Sequence, residues 1–256
     1  MRQRESAICL RTSDYSETSQ VVHFFTRGWG AVRLLAKGSK RKKSSSGGSV
    51  DLMSEGDLVF IASSRQTLST LVEFRETVSH ADLRADAGRL NAGLLMIELV
   101  GELLPEADPH PEVFDLLHNG LARLGQSDAP VPAVLAYFQW RLLRHAGLLG
   151  ELDRCVSCGG PVGSADARGA ADVYFSSSEG GLVCGGCEPA LAEKYRLDGA
   201  ALAGLAALEA AQAGKKVALP DKQAHGVNRM LVYHVQQQLG RPLKTARYAV
   251  PCTGGP

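Results

Sequence analysis

Through the first eighty residues, short runs of apolar and β-type positions alternate with polar turn chemistry. Runs at 6–11, 20–26, 31–37, 58–63 and 69–77 carry β-type side chains between clusters of turn residues, which predicts five strands, the number a small barrel uses. Arg27-Gly28-Trp29-Gly30 joins the second run to the third as a short glycine-bearing hairpin connection. Within 31–37 the alternation sets Val32, Leu34 and Ala36 on one face and Arg33, Leu35 and Lys37 on the other, so the second face is partly basic. His23 alternates with Val21 and Phe25, which points to a histidine lining the barrel.

After Thr77 the period lengthens to that of a helix. Leu83, Ala87, Leu90, Leu94, Ile97 and Val100 follow a 3.6-residue spacing until Pro105 ends it, and 112–124 and 133–146 repeat the pattern. Pro109, Pro111, Pro130 and Pro132 sit at helix starts, where a missing N–H does little harm, and Gly125 and Gly147 lie just past helix ends. Farther on, 199–213 is rich in Ala and Leu at helical spacing, and 222–239 is a second helix closed by Gly240. No internal repeat interrupts this order.

Charge adds regional information. The 256 residues hold 28 Lys plus Arg against 27 Asp plus Glu, a formal net charge of +1 that gives no whole-molecule attraction to nucleic acid or membrane. By segment, 1–80 carries 12 basic and 8 acidic side chains, 81–154 carries 6 and 11, and 155–256 carries 10 and 8. A basic head and an acidic middle read as separate modules. The most apolar stretch, 94–104, is broken by Glu98 and Glu102 and falls short of the ~20 residues that span a bilayer. The apolar segment at 7–10 is too short for a secretory signal, so a reducing cytoplasm is expected.

Four of the six cysteines form two pairs, Cys155-Val-Ser-Cys158 and Cys184-Gly-Gly-Cys187, with 25 residues between them. Each C-x-x-C turn brings two sulfurs together, and two such knuckles supply the four thiolates of a tetrahedral zinc ion. Between them, 172–175 and 181–183 read as the arms of a hairpin around Ser178-Glu179-Gly180, the layout of a zinc ribbon. The segment from 153 to 189 has few large apolar side chains, so a metal is needed to fold it. Four thiolates leave no open coordination position, which makes the expected Zn2+ structural. His110-Pro-Glu112 with Cys155 and Cys158 superficially matches the zinc deaminase pattern, but Arg154 stands where that pattern has proline and the second cysteine pair is unexplained. Cys9 and Cys252 read as non-ligand cysteines.

The stretch from Gly38 to Ser49 leaves the third strand as a basic loop containing Lys40, Arg41, Lys42 and Lys43. With Lys37 and Arg33 on the adjoining strand, and Arg27 beside Trp29 in the hairpin, it can form one patch with a stacking aromatic. Positively charged grooves with aromatic platforms hold single strands without reading sequence. No Walker-type phosphate loop, nucleophile elbow or K-x-D-G adenylation motif occurs, and Glu98 and Glu102 read as a solvated acidic face, so no enzymatic chemistry is expected.

Taken together, Ala7-Ile-Cys-Leu-Arg11, Asp14-Tyr-Ser-Glu-Thr18, Phe25-Thr26, Leu35-Ala36-Lys37-Gly38, the cysteine knuckles and Leu239-Gly240-Arg241-Pro242-Leu243-Lys244 resemble the RecO family of bacterial recombination mediators. The resemblance runs over essentially the whole chain. It implies an α+β protein: a five-stranded OB-fold DNA-binding barrel at 1–80, a helical domain at 81–150, an inserted four-cysteine zinc ribbon at 151–190, and C-terminal helices at 191–256 packing on the helical domain. It further implies binding of single- and double-stranded DNA, strand annealing, and work with RecR, in some members RecF, to load RecA onto DNA covered by single-strand binding protein (SSB). The acidic, aromatic SSB tail would dock on the helical domain, where 137–144 has a fitting aromatic and basic mix. DNA contact is carried to Lys37, Lys40 and Arg41, and extended by facing and proximity to Arg33, Lys42, Lys43, Arg27 and Trp29. Arg241 and Lys244 could extend the basic surface. A nucleoid-associated cytoplasmic location during repair goes with this role. The alternative is an RNA-binding zinc-ribbon protein or an adaptor without annealing activity.

Overall fold

The computed structural model describes residues 2–41, 48–63, 68–162, 172–212 and 218–250. Lys42, Lys43, Cys252 and residues 163–171 between the two cysteine pairs lie outside the described residues. The described chain forms two compact units that divide between Ala129 and Pro130, inside the predominantly helical stretch 81–150.

In the first unit, β1 (Arg2–Ser16), β2 (Ser19–Thr26), β3 (Gly30–Ala36), β4 (Glu55–Ile61) and β5 (Ser69–Val78) close into a barrel in the order β1-β2-β3-β5-β4. This is a five-stranded OB-like barrel, as the resemblance implies. β1 is far longer than its apolar run because it pairs twice, with β4 from Arg2↔Ile61 to Ile8↔Glu55 and with β2 from Ala7↔Thr26 to Ser16↔Ser19. A parallel contact, Leu34↔Ser69 and Leu35↔Thr70, joins β3 to β5 and closes the barrel.

The inward residues alternate along each strand, and Ala7, Cys9, Val22, Phe24, Leu34, Ala36, Leu58 and Phe60 are fully buried among one another. Along β5 the alternation breaks. Leu58 pairs with Phe74 but Phe60 pairs with Leu71, so an extra residue in β5 resets the pleat and lets two side chains three positions apart both point inward. His23 corrects the sequence reading: Val22 and Phe24 fill the barrel, while His23 lies on the outer face in register with Arg11 and Arg33. Strand parity forces this, because adjacent residues point to opposite faces. Burial pulls its pKa below the usual imidazole value, with a smaller opposing effect from Glu106.

Two helices complete this unit: α1 (Ala87–Leu103) and α2 (Pro111–Leu124). Asp86 caps α1 by accepting the Arg89 N–H at 2.9 Å, and Pro111 opens α2 with its preset φ. Both helices cover the outer side of the barrel. Gly101 lies beside Leu10, Gly93 leaves room for Met53 and Leu83, and Phe114 packs on Phe25 with ring centroids 6.1 Å apart.

The second unit is built on α5 (Asp221–Leu239), flanked by α3 (Val131–His145) and α4 (Gly199–Gln212), with a short α6 (Ala246–Ala249) after it. Asn228 on α5 is buried and satisfied, accepting from Gln139 Nε2 at 2.7 Å and donating to the Pro132 carbonyl at 2.9 Å. Gly240 ends α5 in the left-handed region at φ 63°, the conformation its sequence position predicts. A three-stranded sheet in the order β7-β6-β8 combines the expected hairpin, β6 (Val173–Ser176) and β7 (Gly181–Cys184), with β8 (Tyr195–Leu197), which the sequence pattern did not announce.

Candidate nucleic-acid interface and metal centre

The two knuckles meet on the small sheet. Backbone bonds from Cys155 N–H to Gly160 (2.8 Å), Gly159 N–H to Cys155 (2.8 Å) and Cys187 N–H to Cys184 (3.0 Å) fold the turns. Val156 N–H donates to the Leu182 carbonyl at 2.9 Å and fastens the first knuckle to β7. Sγ atoms of Cys155, Cys158, Cys184 and Cys187 all lie within 4.8 Å of one another, and those of Cys158 and Cys184 are 3.9 Å apart. Four sulfurs placed about 2.3 Å from a central ion would be separated by ~3.8 Å. The donor set therefore fits a four-coordinate thiolate metal site.

Crowding sets the ionisation of the four thiols against one another. Burial raises the Cys155 thiol, but N–H groups of Cys184, Cys158 and Ser157 overcome this and bring it to about 6. Cys187, against the sulfurs of Cys184 and Cys158, is pushed up to about 12. Adjacent thiols oppose one another's ionisation, and a divalent ion is what allows all four to be thiolates together.

The basic residues named from the sequence lie along β3 and its two ends. Arg27 and Trp29 occupy the β2–β3 turn, Arg33 projects from the middle of β3, and Lys37, Lys40 and Arg41 follow its far end. Seven strand residues separate the two groups, roughly 20 Å at the strand rise. Instead of one patch they form a track, with Arg33 between its ends. Lys37 to Arg41 fold back on the β1–β2 turn: Gly38 N–H reaches Ser19 Oγ at 3.2 Å and Lys40 N–H reaches the Thr18 carbonyl at 3.1 Å.

Three of these cations already have carboxylate partners. Arg27 donates two bonds to Asp115 (3.1 and 2.9 Å), Arg33 Nε is 2.6 Å from Glu106, and Lys40 is paired with Asp14. Arg27 holds the Asp115 carboxyl below its usual range. The sequence reading missed these pairings because the partners stand far apart in the chain; for Glu106 and Asp115 the acidic count of the middle segment was the only trace.

Arg241 and Lys244 follow α5 in the second unit and are exposed, and Lys244 borders an apolar groove of about 420 Å³ with Leu243 and Val250. On α3, Tyr137 is exposed beside Trp140 (centroids 6.1 Å apart), and Arg144 lies over the Trp140 ring at 5.5 Å while bound to Glu209 at 2.9 Å.

Comparison with known families matches residues 84–247 to the C-terminal model of recombination protein O and residues 1–78 to its N-terminal model. The chain belongs to the RecO family. DNA repair protein RecO of Anaeromyxobacter dehalogenans (strain 2CP-C) is 33% identical over 253 residues, covering 96% of this chain and 95% of the relative. RecO of Myxococcus xanthus is 29% identical over 247 residues and 96% of both chains. That of Salinibacter ruber is 37% identical over 151 residues, 59% of this chain and 58% of the relative. Membership in RecO supports a role in recombinational DNA repair. Among the described residues no helix is long and apolar enough to cross a membrane.

Proposed function

We propose that this chain is a DNA-binding recombination mediator that anneals complementary strands and, with RecR and in some settings RecF, promotes RecA loading on SSB-coated single strands. Carrying this reading is the cationic track of Arg27, Arg33, Lys37, Lys40 and Arg41 on an OB-like barrel of a RecO chain. The track holds one strand through its phosphates and screens the repulsion of a second, so complementary bases meet; no cofactor is consumed and no catalytic residue is required. Single- and double-stranded DNA both qualify as ligands because phosphates dominate the contact. Trp29 adds a stacking surface, and Arg241 and Lys244 are separate cationic DNA contacts on the second unit. The acidic tail of SSB is assigned to the α3 surface at Tyr137. We assign Zn2+ to the four cysteines, where Cys155, Cys158, Cys184 and Cys187 hold it and its role is to fold the ribbon. The proposed setting is the cytoplasm, at the nucleoid during repair.

The test is annealing of two complementary fluorescent oligonucleotides coated with SSB, without nucleotide, over a salt series. Acceleration is expected and fades as salt rises; four engaged phosphates on a single strand give a slope of about −2.8 in log affinity against log salt. Charge reversal of Lys37 and Arg41 should weaken binding and annealing together in a folded protein. Normal annealing by that variant overturns the mechanism, and DNA-independent binding to RecR or SSB alone shifts the assignment to an adaptor.

A further inference from the structure

One cavity in the first unit brings Trp29 and Arg33 together with Glu106, the acid that holds Arg33. β3 and β5 pair only at Leu34↔Ser69 and Leu35↔Thr70. On the Trp29 side of that closure lies a cleft of about 650 Å³ lined by Trp29, Val32, Arg33, Ala62, Leu68 and Glu106. With Ala31, Ser63, Ser69 and Ala107 completing the lining, its walls combine an indole and aliphatic side chains with two serines, one guanidinium and one carboxylate. That set suits a flat group with polar edges attached to an anion. A nucleotide has this chemistry.

The aromatic wall is held in place beforehand. Trp29 N–H donates to Thr26 Oγ1 at 3.1 Å, Thr26 Oγ1 donates to the Gly30 carbonyl at 2.8 Å, and the indole meets Phe60 edge-on at 5.9 Å between centroids. A ring fixed this way loses little freedom on binding. Glu106 is fixed as well. Ala107 N–H donates to the Ala31 carbonyl at 3.0 Å, and Gly30, at φ 81°, lies so close to Asp108 that a Cβ there would stand 2.2 Å from its carbonyl oxygen. The carboxylate thus sits at Arg33, 2.6 Å from Nε, because the backbone puts it there. The ion pair itself is about half exposed on both sides, and pairs of that kind are easily exchanged.

We propose that this cleft seats one unstacked base of a single strand against Trp29, while the adjoining phosphate takes Arg33 from Glu106. The proposal rests on the DNA-binding reading above and adds to it a base-sized seat and a resident competitor. Glu106 weakens every phosphate contact at Arg33, so a strand that also gains stacking is favoured over one that offers phosphates alone. Paired DNA cannot fill the seat without first extruding a base.

The experiment measures, on the full chain by fluorescence anisotropy, affinity for oligothymidylate, for the same strand with abasic sites, and for a duplex of matched length. Wild type should bind the intact strand roughly tenfold or more tighter than the abasic one, the scale of one base stacked on an aromatic ring. Trp29→Ala should remove that difference and Trp29→Phe should keep most of it. Glu106→Gln should raise affinity for both strands by about fivefold, through release of Arg33. Equal affinity of wild type for intact and abasic strands overturns the seat, and an unchanged or lowered affinity in Glu106→Gln overturns the competitor. These two comparisons decide the matter even if Trp29→Ala does not fold. Absence of binding to all three ligands at low salt is the separate outcome that removes the DNA reading itself.

Discussion

The barrel and the cysteine ribbon are both small β structures, and they are held together by different physics. Phe24, Leu34, Leu58 and Phe60 are fully buried inside the barrel and in contact with one another, so its free energy comes from removing apolar surface from water. The ribbon has Phe175, Leu182 and Val183 buried, and it also docks on α5: Phe175 meets His234 edge-on at 4.9 Å, and Gln238 Nε2 donates to the Ser177 carbonyl at 2.6 Å. One element carries its own core. The other has a helix beside it and four clustered cysteines that fit a metal site.

The largest test of that contrast is removal of one sulfur. Cys158→Ala should abolish stoichiometric zinc and leave 155–187 open to protease, because structural zinc contributes an apparent ~10–16 kcal/mol to modules of this kind; DNA binding by the barrel should persist. Metal analysis and limited proteolysis read both parts, and retained zinc with an intact ribbon breaks the comparison. Next in size is Phe60→Ala in the barrel. A fully buried ring lost from a closed core should cost about 3–5 kcal/mol by chemical denaturation without altering zinc content.

A smaller effect separates the two regions by pH. Glu55 opens β4 and faces His118 of α2, with both carboxylate oxygens 2.9 Å from Nδ1, and His80 at 3.6 Å. Burial pushes its pKa up, but the nearby His80 and the hydrogen-bonded His118 outweigh this and hold it below its ordinary 4.5. A lowered folded value means the unfolded chain binds the proton more readily. The stabilisation is therefore complete above the unfolded value and lost as pH falls from about 4.5 through the folded one. Denaturation of Glu55→Gln over a pH series should show a deficit at neutral pH that shrinks in acid; a deficit independent of pH would exclude the ion-pair account. Smallest of all is Lys37→Glu, exposed beyond the end of β3. Its stability should stay within about 0.5 kcal/mol of wild type while DNA affinity falls, which places that residue in surface chemistry and not in the core.

Much of the architecture was legible before any coordinates. Strands at β2 and β3 follow from β-type runs on either side of a glycine-bearing turn, and Pro111 and Gly240 mark helix ends at which their backbone preferences are used. β1 was seen only in part because its outer residues are polar and their partners lie on two different strands. β8 is three residues long and gains meaning only beside β6. The face of His23 was misjudged because a period of two says which residues share a side but not which side is inside. Segregated charge, too, had a second meaning. Glu106 and Asp115 from the acidic stretch pair with Arg33 and Arg27 of the basic head inside a single compact unit.

By itself the sequence determined what depends on near neighbours: the alternation of the strands, the helix ends, and two cysteine knuckles whose chemistry admits few uses. Tertiary structure alone decided what depends on residues far apart in the chain. It closed β3 onto β5, drew four sulfurs to within 4.8 Å of one another, and set Glu106 against Arg33. Local patterns reflect steric and solvation preferences that each residue carries with it, whereas a contact across dozens of residues exists only once the whole unit has paid the entropy of bringing its parts together.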